Sequence, residues 1–283
     1  MDITPALGVA LMGYGARVGR AQAIADRLHA RALALDEGAQ RCLIAVSADL
    51  CLMAPEQALG VRERISMATG VAVPRILVAC THTHSGPDTG LGELLAGKAV
   101  PEHVAPILDG IVAAAVQAWE RREPARLGWA RAEARIGRNR RVVDGPIDPN
   151  VEVLRVDALS GRPIAVLFRH SCHGTVRGHD SLELSADWSG AAAAAVESAT
   201  GAVAVFLLGA HADIDPRRRP ETLQLVEFAA LADAWRAASA APAAIACSLR
   251  SRAMSSRKSC ARKRLSSAAR ARSRSARSCI RIF

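Results

Sequence analysis

Thr81-His82-Thr83-His84-Ser85-Gly86-Pro87 is the stretch that most constrains what this chain can fold into. It follows Arg75-Ile76-Leu77-Val78-Ala79-Cys80, an apolar run that predicts a buried strand, and its Gly-Pro breaks any regular element. If the strand runs on through His84, the two imidazoles sit two residues apart and share one face. At the mouth of a buried strand they can give two nitrogens to a zinc ion, or one ligand and one proton-handling group. The plain alternative is a pair of hydrogen-bonded histidines at a strand end.

The surrounding pattern predicts an α/β fold: a central, mainly parallel or mixed sheet flanked by helices, with a metal site at the strand ends. Strands are expected over 28–35 and 42–47, joined through Asp36-Glu37-Gly38, and a helix over 54–69 leads into the His-X-His strand. That β-α-β order predicts a parallel pair, with Asp49 at the same sheet end as the histidines. Residues 101–119 repeat apolar side chains at helical spacing behind Pro101. A loose strand over 126–136 precedes Asn139-Arg140-Arg141, whose arginines could bind an anionic or carbonyl group. A hairpin over 151–156 and 163–168 delivers a second histidine cluster, Arg169-His170-Ser171-Cys172-His173-Gly174-Thr175. Ser185-Ala186-Asp187-Trp188 opens an alanine-rich helix that runs to Ser198, and a last buried strand over 202–208 ends in Gly209-Ala210-His211-Ala212-Asp213-Ile214-Asp215-Pro216. A further helix is expected over 221–238. The glycines of Met12-Gly13-Tyr14-Gly15 predict a loop whose backbone can approach a ligand closely.

Composition separates the body from the tail. Of 37 Lys and Arg, twelve fall in residues 249–283, which carry no Asp or Glu; the first 248 residues hold 25 basic against 27 acidic groups. The basic character therefore belongs to one segment, and no specific nucleic-acid partner is expected of the body. Residues 1–248 are expected to form one domain. Residues 249–283 form a basic, Arg/Ser/Ala-rich tail that cannot bury enough apolar surface to order itself, and its composition is that of a GC-rich gene read out of frame. Seven cysteines without a CxxC pair indicate neither a zinc ribbon nor a disulfide framework. No run of about 18 apolar residues predicts a membrane span. Asp2 and Pro5 stand where a leader's basic and apolar regions would be, so the expectation is cytoplasmic, with secretion following if the natural start lies upstream.

Taken together, these motifs resemble the catalytic domain of the neutral/alkaline non-lysosomal ceramidase family. The match runs from Asp2-Ile3-Thr4-Pro5 and Met12-Gly13-Tyr14-Gly15 through Val46-Ser47-Ala48-Asp49 and the heptapeptide. It continues through Asn139-Arg140, Asp144-Gly145-Pro146-Ile147-Asp148-Pro149, His173-Gly174-Thr175, Leu184-Ser185-Ala186-Asp187 and Ala212-Asp213-Ile214-Asp215-Pro216.

The resemblance implies a zinc-dependent amidohydrolase that cleaves N-acylsphingosine, or a related lipid or small amide, into amine and fatty acid. It implies His82 and His173 as zinc ligands and His84 and Arg140 as groups that contact or polarise the amide; Asn139, His211 and Asp213 are expected to neighbour the substrate, and His211, Asp213 and Asp215 are the first candidates for replacement zinc ligands. Zinc-activated water would attack the carbonyl, and an imidazole or carboxylate would pass a proton to the leaving amine. Asp215 stands where ceramidases carry a serine implicated in their mechanism, which bears on whether ceramide or another amide is the substrate. The family completes its zinc site with a Glu and a Tyr from a later part of the domain, and the one tyrosine here is Tyr14. The chain thus reads as the N-terminal part of such a hydrolase. The competing expectations are an inactive fragment of one, or a basic-tailed protein that binds nucleic acid or a membrane surface.

Overall fold

The computed structural model describes residues 1–38, 41–217 and 280–282. The first half holds β1 (Ala23–Ile24), β2 (Ala30–Asp36), β3 (Cys42–Ala48), α1 (Pro55–Thr69), β4 (Ile76–Cys80), α2 (Leu91–Leu95) and α3 (Val104–Glu120). The second holds β5 (Glu123–Glu133), β6 (Gly137–Asn139), β7 (Asn150–Ala158), β8 (Pro163–His170), β9 (Glu183–Leu184), α4 (Asp187–Thr200), β10 (Val203–Leu208) and β11 (Ile214–Pro216), with β12 (Ile280–Ile282) near the end of the chain. The helix expected over 221–238 and the tail apart from 280–282 lie outside the described residues.

Among the described residues, the largest sheet has the order β10-β8-β7-β5-β12-β2-β3-β4. It is mixed rather than mainly parallel. Only β3–β4 and β8–β10 run parallel, and these are the neighbours whose connections contain α1 and α4. Parallel neighbours need such crossovers, whereas the short connections from β2 to β3 and from β7 to β8 go with antiparallel pairing. Residues 280–282, from the segment whose composition predicts no structure, pair antiparallel with both β2 and β5. Without them those two strands would present facing rows of unpaired backbone groups.

Alternation along the strands builds three apolar layers. Ala32 and Ala34 of β2 pack with Val61 and Ile65 of α1 and Ile107 and Ile111 of α3. Phe168 of β8 and Ala204 and Phe206 of β10 pack with Trp188, Ala192 and Val196 of α4. The intervening residues, Leu33 of β2, Val156 of β7, Ala165 of β8 and Val205 of β10, meet one another in a third cluster. The sheet therefore curls on itself, and β10 reaches β2, β3 and β4 although it stands at the opposite edge from β4. An isolated parallel bridge between Thr83 and Gly174 joins the segments that follow β4 and β8.

Candidate metal centre and active-site cleft

The histidine pair does not sit on an extended strand. Strand β4 stops at Cys80, and His82 takes a left-handed backbone, φ 63°. For a non-glycine residue that conformation costs on the order of 1–3 kcal/mol and persists only where its surroundings impose it. Here the N–H groups of Thr81 and His82 donate to the carbonyls of Ala48 and Leu50, both at 2.9 Å, and Nδ1 of His82 donates to the carbonyl of Cys51 at 2.8 Å. The two imidazoles still meet, with Nε2 of His84 3.2 Å from Nε2 of His82. Strand alternation gave the right convergence for the wrong reason: a turn, not a pleat, aims the rings.

His173 lies three residues beyond the end of β8. Its amide donates to the carbonyl of Ile214 at 2.9 Å, and its Nδ1 donates to the carbonyl of His211 at 2.8 Å. His211 lies beyond β10, with Nδ1 3.1 Å from the carbonyl of Gly209. The rings of His82, His173 and His211 are mutual neighbours, with centroids 5.0, 4.6 and 4.6 Å apart. One ligand atom from each lies within 4.8 Å of the others. Cys51, His82 and His84 form a second such group, although burial pushes the Cys51 thiol up to about 12. Burial also lowers the pKa of His82 and His173, and drives His84 down to about 3 with help from the neighbouring His82, His173, Arg17 and Arg140. These three imidazoles are therefore neutral at pH 7, the state in which a nitrogen can ligate a cation.

The loop residues are held by the ribbon of β6 and β11, where Asn139 opposes Ile214 and Arg138 opposes Asp215. The amide of Arg140 donates to the carbonyl of Asp213 at 2.8 Å, and its guanidinium pairs with Asp215 at 3.3 Å. Asp215 in turn lies 3.9 Å from Nδ1 of His173. Asn139 donates to Asp213 Oδ2 at 2.9 Å and accepts from the amides of Arg141 and Val142, both at 3.0 Å.

His84, Arg140, His173 and Asp215 line one open cleft of about 660 Å³, together with Tyr14, Thr175 and His179. Asn139 and Asp213 do not line it; they bond to each other and shape the loop that carries Arg140. Asp49 shares the strand end but turns away from the histidines: it is buried, accepts from the amide of His29 at 2.9 Å, and pairs with Arg31 at 3.2 Å. The Met-Gly-Tyr-Gly loop supports His84 from outside. The Tyr14 ring meets the His84 ring edge-on at 4.8 Å, its hydroxyl donates to the carbonyl of Arg177, and Arg17 donates to the carbonyl of His84 at 2.7 Å. The close approach expected of Gly13 is thus to a histidine. His179 was not singled out by sequence, and Thr175 was named only as part of its motif, without a role; its hydroxyl is buried without a partner among the described residues. The nearest signal was the polar run that follows His173.

A separate cavity of about 500 Å³ lies between the sheet and α4, walled by Phe168, His170 and Trp188. Charged groups at its rim are paired off, Arg31 with Asp49 and Glu197, and Asp26 with Ser185 and the amide of Ala186.

Residues 1–209 match the model of the neutral/alkaline non-lysosomal ceramidase family, N-terminal part. Neutral ceramidase A of Dictyostelium discoideum is 27% identical over 211 residues, 67% of this chain and 30% of that protein. Neutral ceramidase B of the same organism is 27% identical over 252 residues, 78% of this chain and 35% of its own length. The crystal structure of neutral ceramidase from Pseudomonas aeruginosa superposes with a TM-score of 0.73 at 24% identity, covering 84% of this chain and 44% of that one. A ceramidase complexed with C2 gives 0.72 at 25% identity, covering 84% and 43%. The chain spans about a third of the curated relatives and under half of the solved structures.

Proposed function

The chain belongs to the neutral/alkaline non-lysosomal ceramidase family, and from that premise we propose that it is a zinc-dependent hydrolase of a lipid amide, an N-acylsphingosine or a related N-acyl amine. The observation that carries this reading is the meeting of His84, His173, Arg140 and Asp215 around one cleft, beside the cluster of His82, His173 and His211. Three imidazoles are a fitting donor set for zinc, and at about 660 Å³ the cleft falls within the range of small-molecule sites. A zinc ion held there would act as a Lewis acid toward a carbonyl and make water nucleophilic near neutral pH.

The chain's own residues would do the rest. His82 and His173 would hold the ion. His84, kept neutral, offers a hydrogen bond to the amide rather than a charge. Arg140 keeps one nitrogen on Asp215, and its remaining donors can stabilise negative charge as it develops on the carbonyl oxygen. Asp215, between Arg140 and His173, takes a proton from water and returns it to the leaving amine. The apolar part of the substrate would extend past Tyr14 and Val176 at the cleft wall.

The test is hydrolysis of a panel of N-acyl amines, from short acyl chains to N-acylsphingosine, by the zinc-loaded full chain. Release of fatty acid should stop with chelator, return with zinc, and fall about a thousandfold or more in His82→Ala. Absence of hydrolysis across the panel, with zinc demonstrably bound, would overturn the reading.

A further inference from the structure

We infer that His211 is a third metal ligand, so that His82, His173 and His211 form an all-histidine cage for a divalent cation within the described residues. This deepens the metal-dependent reading above and rests on it.

The argument is one of tautomers. Nδ1 of His82 sits 2.8 Å from the carbonyl of Cys51, Nδ1 of His173 2.8 Å from the carbonyl of His211, and Nδ1 of His211 3.1 Å from the carbonyl of Gly209. A carbonyl can only accept, so each Nδ1 must carry the hydrogen, and each neutral ring then holds its lone pair on Nε2. Histidine ligands are commonly fixed in this way: the other ring N–H goes to a carbonyl or carboxylate, which sets the tautomer and the ring orientation. Three rings anchored alike, packed with centroids 4.6–5.0 Å apart, make a nest of acceptors. Bringing three lone pairs together is unfavourable unless a cation or proton donor stands among them.

His84 breaks the pattern and marks the boundary of the cage. Its Nδ1 is buried without a partner among the described residues, so nothing fixes its tautomer, and its Nε2 faces that of His82 at 3.2 Å. It is free to donate to His82 in the empty cage and to a bound amide in the loaded one. His211 has the opposite character. The turn from Gly209 to Ile214 anchors its ring, and its own carbonyl anchors His173, so one loop supplies a nitrogen and orients a second.

The dimensions fit after a small closure. Zinc–nitrogen bonds of about 2.0–2.1 Å in tetrahedral geometry place ligand nitrogens about 3.3–3.4 Å apart. One ring nitrogen from each of the three histidines lies within 4.8 Å of the others, so the closure needed is at most roughly 1.5 Å, a movement that rotation of imidazoles on flexible χ angles can supply. Three neutral ligands leave the full double charge on the ion, and three-histidine sites keep a fourth position for water or substrate.

The experiment is zinc binding by the full chain, followed by competition with a chromophoric chelator, together with zinc-edge X-ray absorption to count coordinated imidazoles. His211→Gln and His103→Gln are compared, with circular dichroism of each apoprotein to establish folding. His103 bonds to the carbonyl of Asp88, away from the cluster, and controls for adventitious imidazole binding. One zinc per chain with three imidazoles, and a loss of affinity on the order of a hundredfold or more in His211→Gln alone, is the expected result. One zinc with two imidazoles and unchanged affinity in His211→Gln would overturn the cage and leave the metal-dependent reading standing. No zinc bound by the wild type would overturn both. The imidazole count is taken on the wild type, so it decides the matter even if the variant fails to fold.

Discussion

A β-carbon on Gly13 would lie 2.5 Å from Cγ of His84 and 2.8 Å from its Cα, and Gly13 holds φ 114°, a backbone region that side chains rarely adopt. The glycine is therefore part of the seat of His84. Gly13→Ala should push the imidazole out of the cleft without touching His82, His173 or His211. Displacement of a positioned group by about 1 Å can cost a hundredfold in rate, so kcat on an amide substrate is expected to fall by ten- to a hundredfold while zinc content stays at the wild-type value. Equal loss of zinc and activity would mean that His84 is bound up with the metal rather than with the substrate. Gly174 plays the same part for the neighbouring segment. A β-carbon there would meet the carbonyl oxygen of His82 at 2.7 Å, and its own carbonyl accepts the amide of His84 at 2.9 Å.

Among the elements, β2, the end of β3 and α4 are tied by an ion network, buried at its Asp49 end: Arg31 pairs with Asp49 at 3.2 Å and with the half-buried Glu197 at 2.9 Å. Burial raises the Asp49 pKa to about 6 even though Arg31 opposes the shift. Removing one member of a buried pair strands the other, a loss of about 3–5 kcal/mol. Arg31→Leu should lose stability by that order at pH 7, as followed by urea unfolding. The sign with pH follows from the raised pKa. The folded state holds the Asp49 proton more tightly than the unfolded chain, so protonation favours folding between the ordinary carboxylate value and about pH 6. Without the guanidinium this preference for the neutral acid grows. The deficit of Arg31→Leu relative to wild type should therefore be largest above pH 6 and shrink on acidification toward pH 4.5. A deficit independent of pH would mean that Asp49 is not the group left stranded.

For the whole molecule, the decisive feature is the curl that brings the two ends of the sheet together. His82 follows one edge strand, β4, and His211 follows the other, β10, yet their rings stand 4.6 Å apart. The inner cluster around Leu33 and Val205 holds that closure. Leu33→Ala should cost about 2–5 kcal/mol and also weaken zinc binding, because it loosens the contact between the two halves of the site. Ile65→Ala, an equally buried change in the outer layer against α1, should cost about as much stability and leave zinc affinity near wild type. Thermal melts and zinc titrations of both variants make the comparison; equal zinc loss in the two would remove the special role of the inner layer.

Much of this was legible in the chain because it rests on local rules. Short apolar runs bounded by turn residues marked β2, β3, β7, β8 and β10. Helical spacing marked α1 and α3, although α3 begins at Val104, three residues past Pro101, whose carbonyl accepts the Val104 amide at 3.0 Å. The motifs themselves marked His82, His84, His173, Arg140 and Asp215 as candidates. Local rules could not say that His82 would leave the strand for a left-handed turn, that Asp49 would turn toward Arg31, or that Gly13 would seat a histidine. Nor could they say that the Asn139 side chain would donate to Asp213 and hold the loop that carries Arg140. Each of these depends on a contact between segments far apart in sequence, and a one-dimensional pattern carries no record of such contacts. The tautomers of the three clustered histidines belong to the same class. Residue type put imidazoles at three strand ends, but only the carbonyls that the folded turns bring to them decide which nitrogen keeps its lone pair, and so which way the cluster can bind.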